Sequence, residues 1–105
     1  MDELSEPIAA VLSRGPDHET VIELRGELDT VSAESVRVVV DEVLADEREG
    51  IVFELEHLTF VDSSGIAVLI HAANHVTTVT LRHAKDIVRR IIEISGLTET
   101  FIVDP

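Results

Sequence analysis

Three observations predict an α/β fold for this chain. Runs with strand length and β-branched content alternate with stretches whose apolar residues recur at helical spacing, in the order strand, strand, helix, strand, helix, strand, helix, strand. The 105 residues make one domain with one core and are too few for two. That core must be aliphatic, because 45% of residues are hydrophobic while only 3% are aromatic, with no Trp or Tyr. Strand-helix-strand units demand parallel pairing through right-handed crossovers, which gathers functional residues at the carboxyl ends of the strands.

Residues 8–13 form a short apolar run, and Arg14-Gly15-Pro16-Asp17-His18 supplies the turn into a second strand over 20–26. In that strand Val21, Glu23 and Arg25 alternate with Ile22 and Leu24, giving one covered face and one wetter face. His18 reads as a loop residue. Ser32 is the expected N-cap of the first helix, with Glu34 in the first turn, where a carboxylate suits the helix dipole. Val36, Val40, Val43 and Leu44 share its inward face, and Glu34, Arg37, Asp41 and Glu42 the outward one. The β-branched Val38, Val39 and Val40 conflict locally with helix propensity. Asp46, Glu47, Arg48 and Glu49 end the helix on a charged turn, with Gly50 as the expected left-handed stop. That acidic cluster lacks the glycine and spacing of a calcium loop and reads as a solvated surface.

Residues 51–55 have the character of a central strand, and Leu58, Phe60 and Val61 are expected to continue the buried path to Asp62. A helix follows over 64–74, with Ile66, Leu69, Ile70 and Ala73 inward and Ser64, Val68, His71 and His75 on an exposed face suited to binding a protein. Asn74 is the expected left-handed C-cap before a strand over 76–81. Ala84, Ile87, Val88, Ile91 and Ile94 mark the inward face of a third helix, stopped by Gly96, and residues 97–103 supply a last short strand or packing tail. Arg82, Lys85, Arg89 and Arg90 read as a solvated helix side offsetting acidic neighbours.

A net charge of −13 repels nucleic-acid phosphates and anionic lipid headgroups, so neither nucleic acid nor membrane insertion is expected. The absence of Cys fits a reducing compartment. The acidic start Met1-Asp2-Glu3-Leu4-Ser5-Glu6-Pro7 is unlike a secretory signal, and no apolar run has the length of a membrane span. A cytoplasmic protein of one domain, 1–105, is expected, with 1–7 as a flexible N-terminus.

If the second and third strands are parallel neighbours, Asp29, leaving one, and Asp62-Ser63-Ser64-Gly65, following the other, meet on one rim of the sheet. A serine hydrolase would need a base within reach of its nucleophile and a group orienting that base; this tetrapeptide is not the Gly-x-Ser-x-Gly elbow, and the nearest histidines lie well along the helix. His71 and His75 have zinc-clamping i, i+4 spacing, but Ala replaces the general-base Glu and no Cys completes a site, so no metal and no cofactor are expected. Phosphorylation asks only for a reachable hydroxyl. The added charge of about −1.5 to −2 would sit beside Asp62, at a helix N-terminus that tolerates anions, while a partner docked on the rim would meet a new desolvated anion.

Leu24-Arg25-Gly26-Glu27-Leu28-Asp29, then Phe60-Val61-Asp62-Ser63-Ser64-Gly65-Ile66, then Ile94-Ser95-Gly96-Leu97, in this order and spacing, resemble the STAS domain, specifically the anti-sigma factor antagonists of bacteria. The likeness runs from about Ile8 to the C-terminus. It implies a single domain with a mixed four- to five-stranded sheet and helices packed on one side. It also implies a non-enzymatic cycle: the unphosphorylated antagonist binds an anti-sigma factor serine kinase, which holds the ATP and magnesium, and so frees a sigma factor. Phosphorylation of Ser63 then switches binding off, and a serine phosphatase restores it. Asp29 and Asp62 match the family's acidic positions; Ser64 matches the second serine, not the usual acceptor; Asp29, Asp62, Ser64, Gly65 and Val68 neighbour the acceptor and are expected to contact the partner. Two departures are Lys85-Asp86, where relatives often carry Pro, and Asn74-His75-Val76, where Gly is frequent. The alternative is a STAS scaffold or transport-system subunit, for lipid or anion transport or a stress-signalling complex, not regulated at Ser63.

Overall fold

The computed structural model describes residues 8–47 and 49–105, and for Ile8 and Ala9 the backbone only. The expected flexible segment 1–7, and Arg48 in the charged turn, lie outside the described residues. Eight elements follow in order: β1 (Ile8–Arg14), β2 (Thr20–Leu28), α1 (Ala33–Leu44), β3 (Gly50–Val61), α2 (Ser63–Ala73), β4 (Thr78–Arg82), α3 (Asp86–Ile94) and β5 (Ile102–Asp104). They build a five-stranded sheet in the order β1-β2-β3-β4-β5, with β1 antiparallel to β2 and the remaining pairs parallel. The sheet is mixed, as expected.

Because spatial order follows chain order, three right-handed crossovers carry α1, α2 and α3 across the same face of the sheet. Burial follows from that. Ile22, Leu24 and Leu28 of β2, Phe53, Leu55 and Leu58 of β3 and Leu81 of β4 are fully enclosed beneath Val36 and Val40 of α1, Leu69 of α2 and Val88 and Ile92 of α3, in one continuous core. The opposite sheet face carries polar pairs instead: Glu23 with Arg25, Glu54 with the His83 ring at 2.9 Å, and Arg82 between Glu19 and Asp104. Among the described residues no helix is long and apolar enough to cross a membrane.

Several local expectations are corrected. Ser32 precedes α1 but makes no side-chain cap bond, being engaged with the preceding turn. Gly50 is not left-handed; it opens β3 against Thr78, whose Oγ1 would lie 2.8 Å from an added Cβ, so close approach is what asks for glycine there. Asn74 closes α2 in right-handed geometry, and β4 begins at Thr78, with Val76 buried in the preceding turn. Phe60 is 39% exposed, not buried. On α2 the inward face is Ile66, Val68, Leu69 and Ala72, with Ile70 and Ala73 only partly covered. On α3 it is Val88 and Ile92, while Ile87 and Ile94 point to solvent. Apolar residues at 87, 88, 91, 92 and 94 form two adjacent stripes, and only tertiary packing selects between them. Gly96 has φ +74° and completes a Schellman stop: its N–H donates to Glu93 O and that of Leu97 to Ile92 O.

Candidate functional site

Strands β2 and β3 end together. Leu28 pairs with Val61, and Asp62 N–H donates to Leu28 O at 3.1 Å, so the turn Asp29-Thr30-Val31-Ser32 and the start of α2 share the carboxyl rim of the sheet. A register shift at Gly26/Glu27 precedes this end, and Gly26 sits there at φ +102°, a conformation that favours glycine. Asp29, Asp62, Ser63 and Ser64 are thus brought together by topology, as the parallel pairing predicts.

The carboxylates do separate jobs. Asp62, in extended backbone geometry, is the N-cap of α2: its Oδ1 accepts from Ser64 N–H at 2.9 Å and Gly65 N–H at 3.2 Å. Asp29 caps the next turn, its Oδ1 accepting from Ser32 N–H at 3.0 Å and Val31 N–H at 3.1 Å. The Ser32 backbone N–H first, then its hydroxyl, holds the Asp29 carboxyl below its ordinary pKa. Ser32 Oγ accepts from Asp29 N–H at 2.9 Å and lies 2.8 Å from Glu27 O and 3.0 Å from Asp29 Oδ1; with a single hydroxyl proton it donates to one of these at a time.

The serines divide in the same way. Ser64 is half-buried, and its hydroxyl shares a 3.1 Å hydrogen bond with Thr30 Oγ1 across the two junctions. Ser63 is exposed, and its hydroxyl has no hydrogen-bond partner among the described residues. Asp62 already accepts from Ser64 and Gly65 N–H, so a charge added at Ser63 would meet a helix start whose second and third donors are engaged.

Gly65 and Val68 are placed differently from expectation. A Cβ on Gly65 would stand 2.6 Å from Leu28 Cγ and 2.7 Å from Val61 Cγ2, so glycine lets α2 begin directly on the strand ends. Val68 is 4% exposed because α1 packs alongside α2 and closes over it. Gly65 supports the acceptor from beneath, and Val68, though largely covered, forms part of the floor of a groove between the two helices. That groove between α1 and α2 is lined, besides Val68, by Thr30, Glu34, Arg37, Val38, Ser64 and Ala67. Exposed Val31 and Val38 border it, with Phe60 on the adjoining strand end.

Sequence reasoning missed Thr30, the outward Val31, Val38 and Phe60, and a pair that ties the helices: His71 Nε2 lies 2.7 Å from Asp41 Oδ1. That contact, its largest influence, lowers the Asp41 pKa. His71 and His75 stand with ring centroids 4.7 Å apart, and His75 Nδ1 lies 2.8 Å from His71 O.

Comparison with known proteins places the fold. A family model described as the STAS domain matches residues 10–105. The chain is similar to a crystal structure of an anti-sigma factor antagonist from Mycobacterium paratuberculosis, at 24% identity and a TM-score of 0.87, covering 100% of this chain and 91% of that one. It is also similar to the anti-sigma factor antagonist SpoIIAA in its unphosphorylated form, at 24% identity and a TM-score of 0.77, over 92% of this chain and 89% of that one. The Bacillus cell fate determinant SpoIIAA in its phosphorylated form matches at 24% identity and a TM-score of 0.69, over 92% of each chain. At these identities the likeness is one of fold.

Proposed function

The chain belongs to the STAS domain family, and on that premise we propose that it is an anti-sigma factor antagonist switched by phosphorylation of Ser63. In this reading the unphosphorylated form binds an anti-sigma factor serine kinase in the cytoplasm and so frees a sigma factor, and a serine phosphatase returns the protein to that form. The protein acts as substrate and binder; ATP and magnesium belong to the kinase. One observation supports the choice of Ser63 over its neighbours. Asp62 takes the capping role and Ser64 is engaged with Thr30, which leaves the exposed Ser63 hydroxyl free for transfer. The nearby groove and the exposed Val31, Val38 and Phe60 offer apolar contact beside the acceptor. A partner seated there excludes water from the rim, and a phosphate of about −1.5 to −2 charge beside Asp62 then weakens binding without disturbing the core.

Incubation with the cognate kinase and ATP, followed by mass spectrometry, is expected to place phosphate on Ser63; transfer to Ser64 or elsewhere sinks the assignment. Ser63→Asp is expected to weaken kinase binding by about 100-fold, the scale of a desolvated unpaired charge at an interface, with little change in Tm. Ser63→Ala should bind and resist modification. A folded Ser63→Asp protein that still binds tightly refutes the switch and leaves the rim as an unregulated contact of a scaffold or transport subunit.

A further inference from the structure

Away from the rim, exposed aliphatic side chains gather in two places of opposite charge. Helix α3 presents Ile87, 55% exposed, and Ile94, 77% exposed, with the partly covered Ile91 between them, a stripe at i, i+4 and i+7. Residues 82–94 carry four cations against two carboxylates, Asp86 and Glu93, in a chain of net charge −13. Arg82 is held by Glu19 and Asp104, and Arg89 by Asp86. Lys85 and Arg90 have no carboxylate partner among the described residues.

The second place is a groove between β1, one edge of the sheet, and α1. Leu12, 54% exposed, and Val43 supply its apolar lining, with Glu42, Asp46 and Glu47 along the α1 side and Arg14 on the strand. Arg14 is engaged with His18 O and the Thr20 hydroxyl, and Glu47 with that hydroxyl and the N–H groups of Glu49 and Gly50. Glu42 and Asp46 have no cationic partner among the described residues.

We infer that this groove receives the α3 face of a second copy of the chain, Ile87 and Ile94 meeting Leu12 while Lys85 and Arg90 meet Glu42 and Asp46. The two patches are different surfaces, so the contact is heterologous and joins copies head to tail. Charge favours this arrangement: groove against groove sets carboxylates on carboxylates, while on the α3 side the cations Lys85 and Arg90, without ion pairs among the described residues, outnumber the one such carboxylate, Glu93. The net charge opposes approach, but a Debye length of about 8 Å at physiological ionic strength screens distant charges more than pairs in contact. A nine-residue helix spans about 13 Å and cannot alone bury the roughly 800 Å² per partner of a standard interface. The association is therefore weak, with a dissociation constant on the order of 0.1–1 mM. It does not involve Ser63 and is independent of the proposed switch.

Sedimentation velocity of the full chain across that concentration range, at physiological ionic strength, tests the inference. The weight-average sedimentation coefficient of the wild type is expected to rise with concentration. Ile94→Glu and Leu12→Glu each raise the dissociation constant at least about tenfold. Mixed in equal amounts, the two variants form a heterodimer that grows no further, because each keeps one intact patch. Should either variant fail to fold by circular dichroism, Arg90→Glu and Glu42→Arg replace them; each alone is expected to associate more weakly than the wild type, and their mixture is expected to regain association, because the exchanged charges complement each other. A wild type that stays monomeric throughout, a mixture that forms no heterodimer, or a groove variant that associates as well as the wild type overturns the inference.

Discussion

The two strand-to-helix junctions on the rim use the same chemistry to opposite ends. Each begins with an Asp that accepts backbone N–H bonds, and each has a serine within the next three positions. In the first junction the spacing Asp29-Thr30-Val31-Ser32 folds the serine back under the turn, where it is buried and bonded to backbone on both sides. In the second, Asp62 is followed at once by Ser63, whose side chain leaves the first helical position outward while Asp62 satisfies the N–H groups beyond it. One serine is structural and the other available, although both look like N-caps in the sequence.

Truncating each hydroxyl gives the largest stability contrast. Ser32→Ala leaves Asp29 N–H and Glu27 O without their shared partner in a covered turn, a loss of about 1–3 kcal/mol. Ser63→Ala removes an exposed hydroxyl with no partner among the described residues and is expected to stay within about 0.5 kcal/mol of the wild type. Urea unfolding of both variants measures the gap. Equal losses would mean that Ser63 is as much a structural residue as Ser32.

How much of this was legible depended on whether a feature was local. The α/β order, the meeting of Asp29 with Asp62 and Ser63, and the Gly96 stop followed from patterns within a few residues or from the rule for parallel strands. Val68 did not, because periodicity ranks the faces of α2 by polarity and does not say that α1 will cover one of them. The same limit hid Thr30 with Ser64 and Asp41 with His71, pairs 34 and 30 residues apart whose partners are polar residues on separate exposed faces. Gly50 and Asn74 misled for another reason: left-handed stops are common at those positions, but each of these helices closes through a right-handed cap residue.

Removing the second junction's cap sharpens the comparison at smaller scale. Asp62→Ala frees the N–H groups of Ser64 and Gly65 and is expected to cost about 1 kcal/mol. Asp62→Asn, which keeps an accepting oxygen, should recover most of it. If capping is the residue's only task, kinase binding follows the loss in stability and is restored in Asn; a binding defect that persists in stable Asp62→Asn assigns the charge itself to recognition.

The smallest expected effect lies in acid. Backbone N–H groups and the Ser32 hydroxyl favour the ionised form of Asp29, so its folded pKa lies below its unfolded one. The stabilisation from that difference is fully present above the unfolded carboxylate range and disappears as pH falls through the folded pKa, because the unfolded chain takes up the proton first. Asp29→Asn removes this dependence. Its stability deficit relative to the wild type is therefore expected to be constant from neutral pH down to about pH 5 and to narrow below about pH 4. Thermal melts of both proteins across that range read the difference directly. A deficit that holds unchanged into strong acid would mean that the Asp29 turn depends on hydrogen-bond geometry alone, and that its carboxylate charge, the feature it shares with Asp62, contributes nothing to the fold.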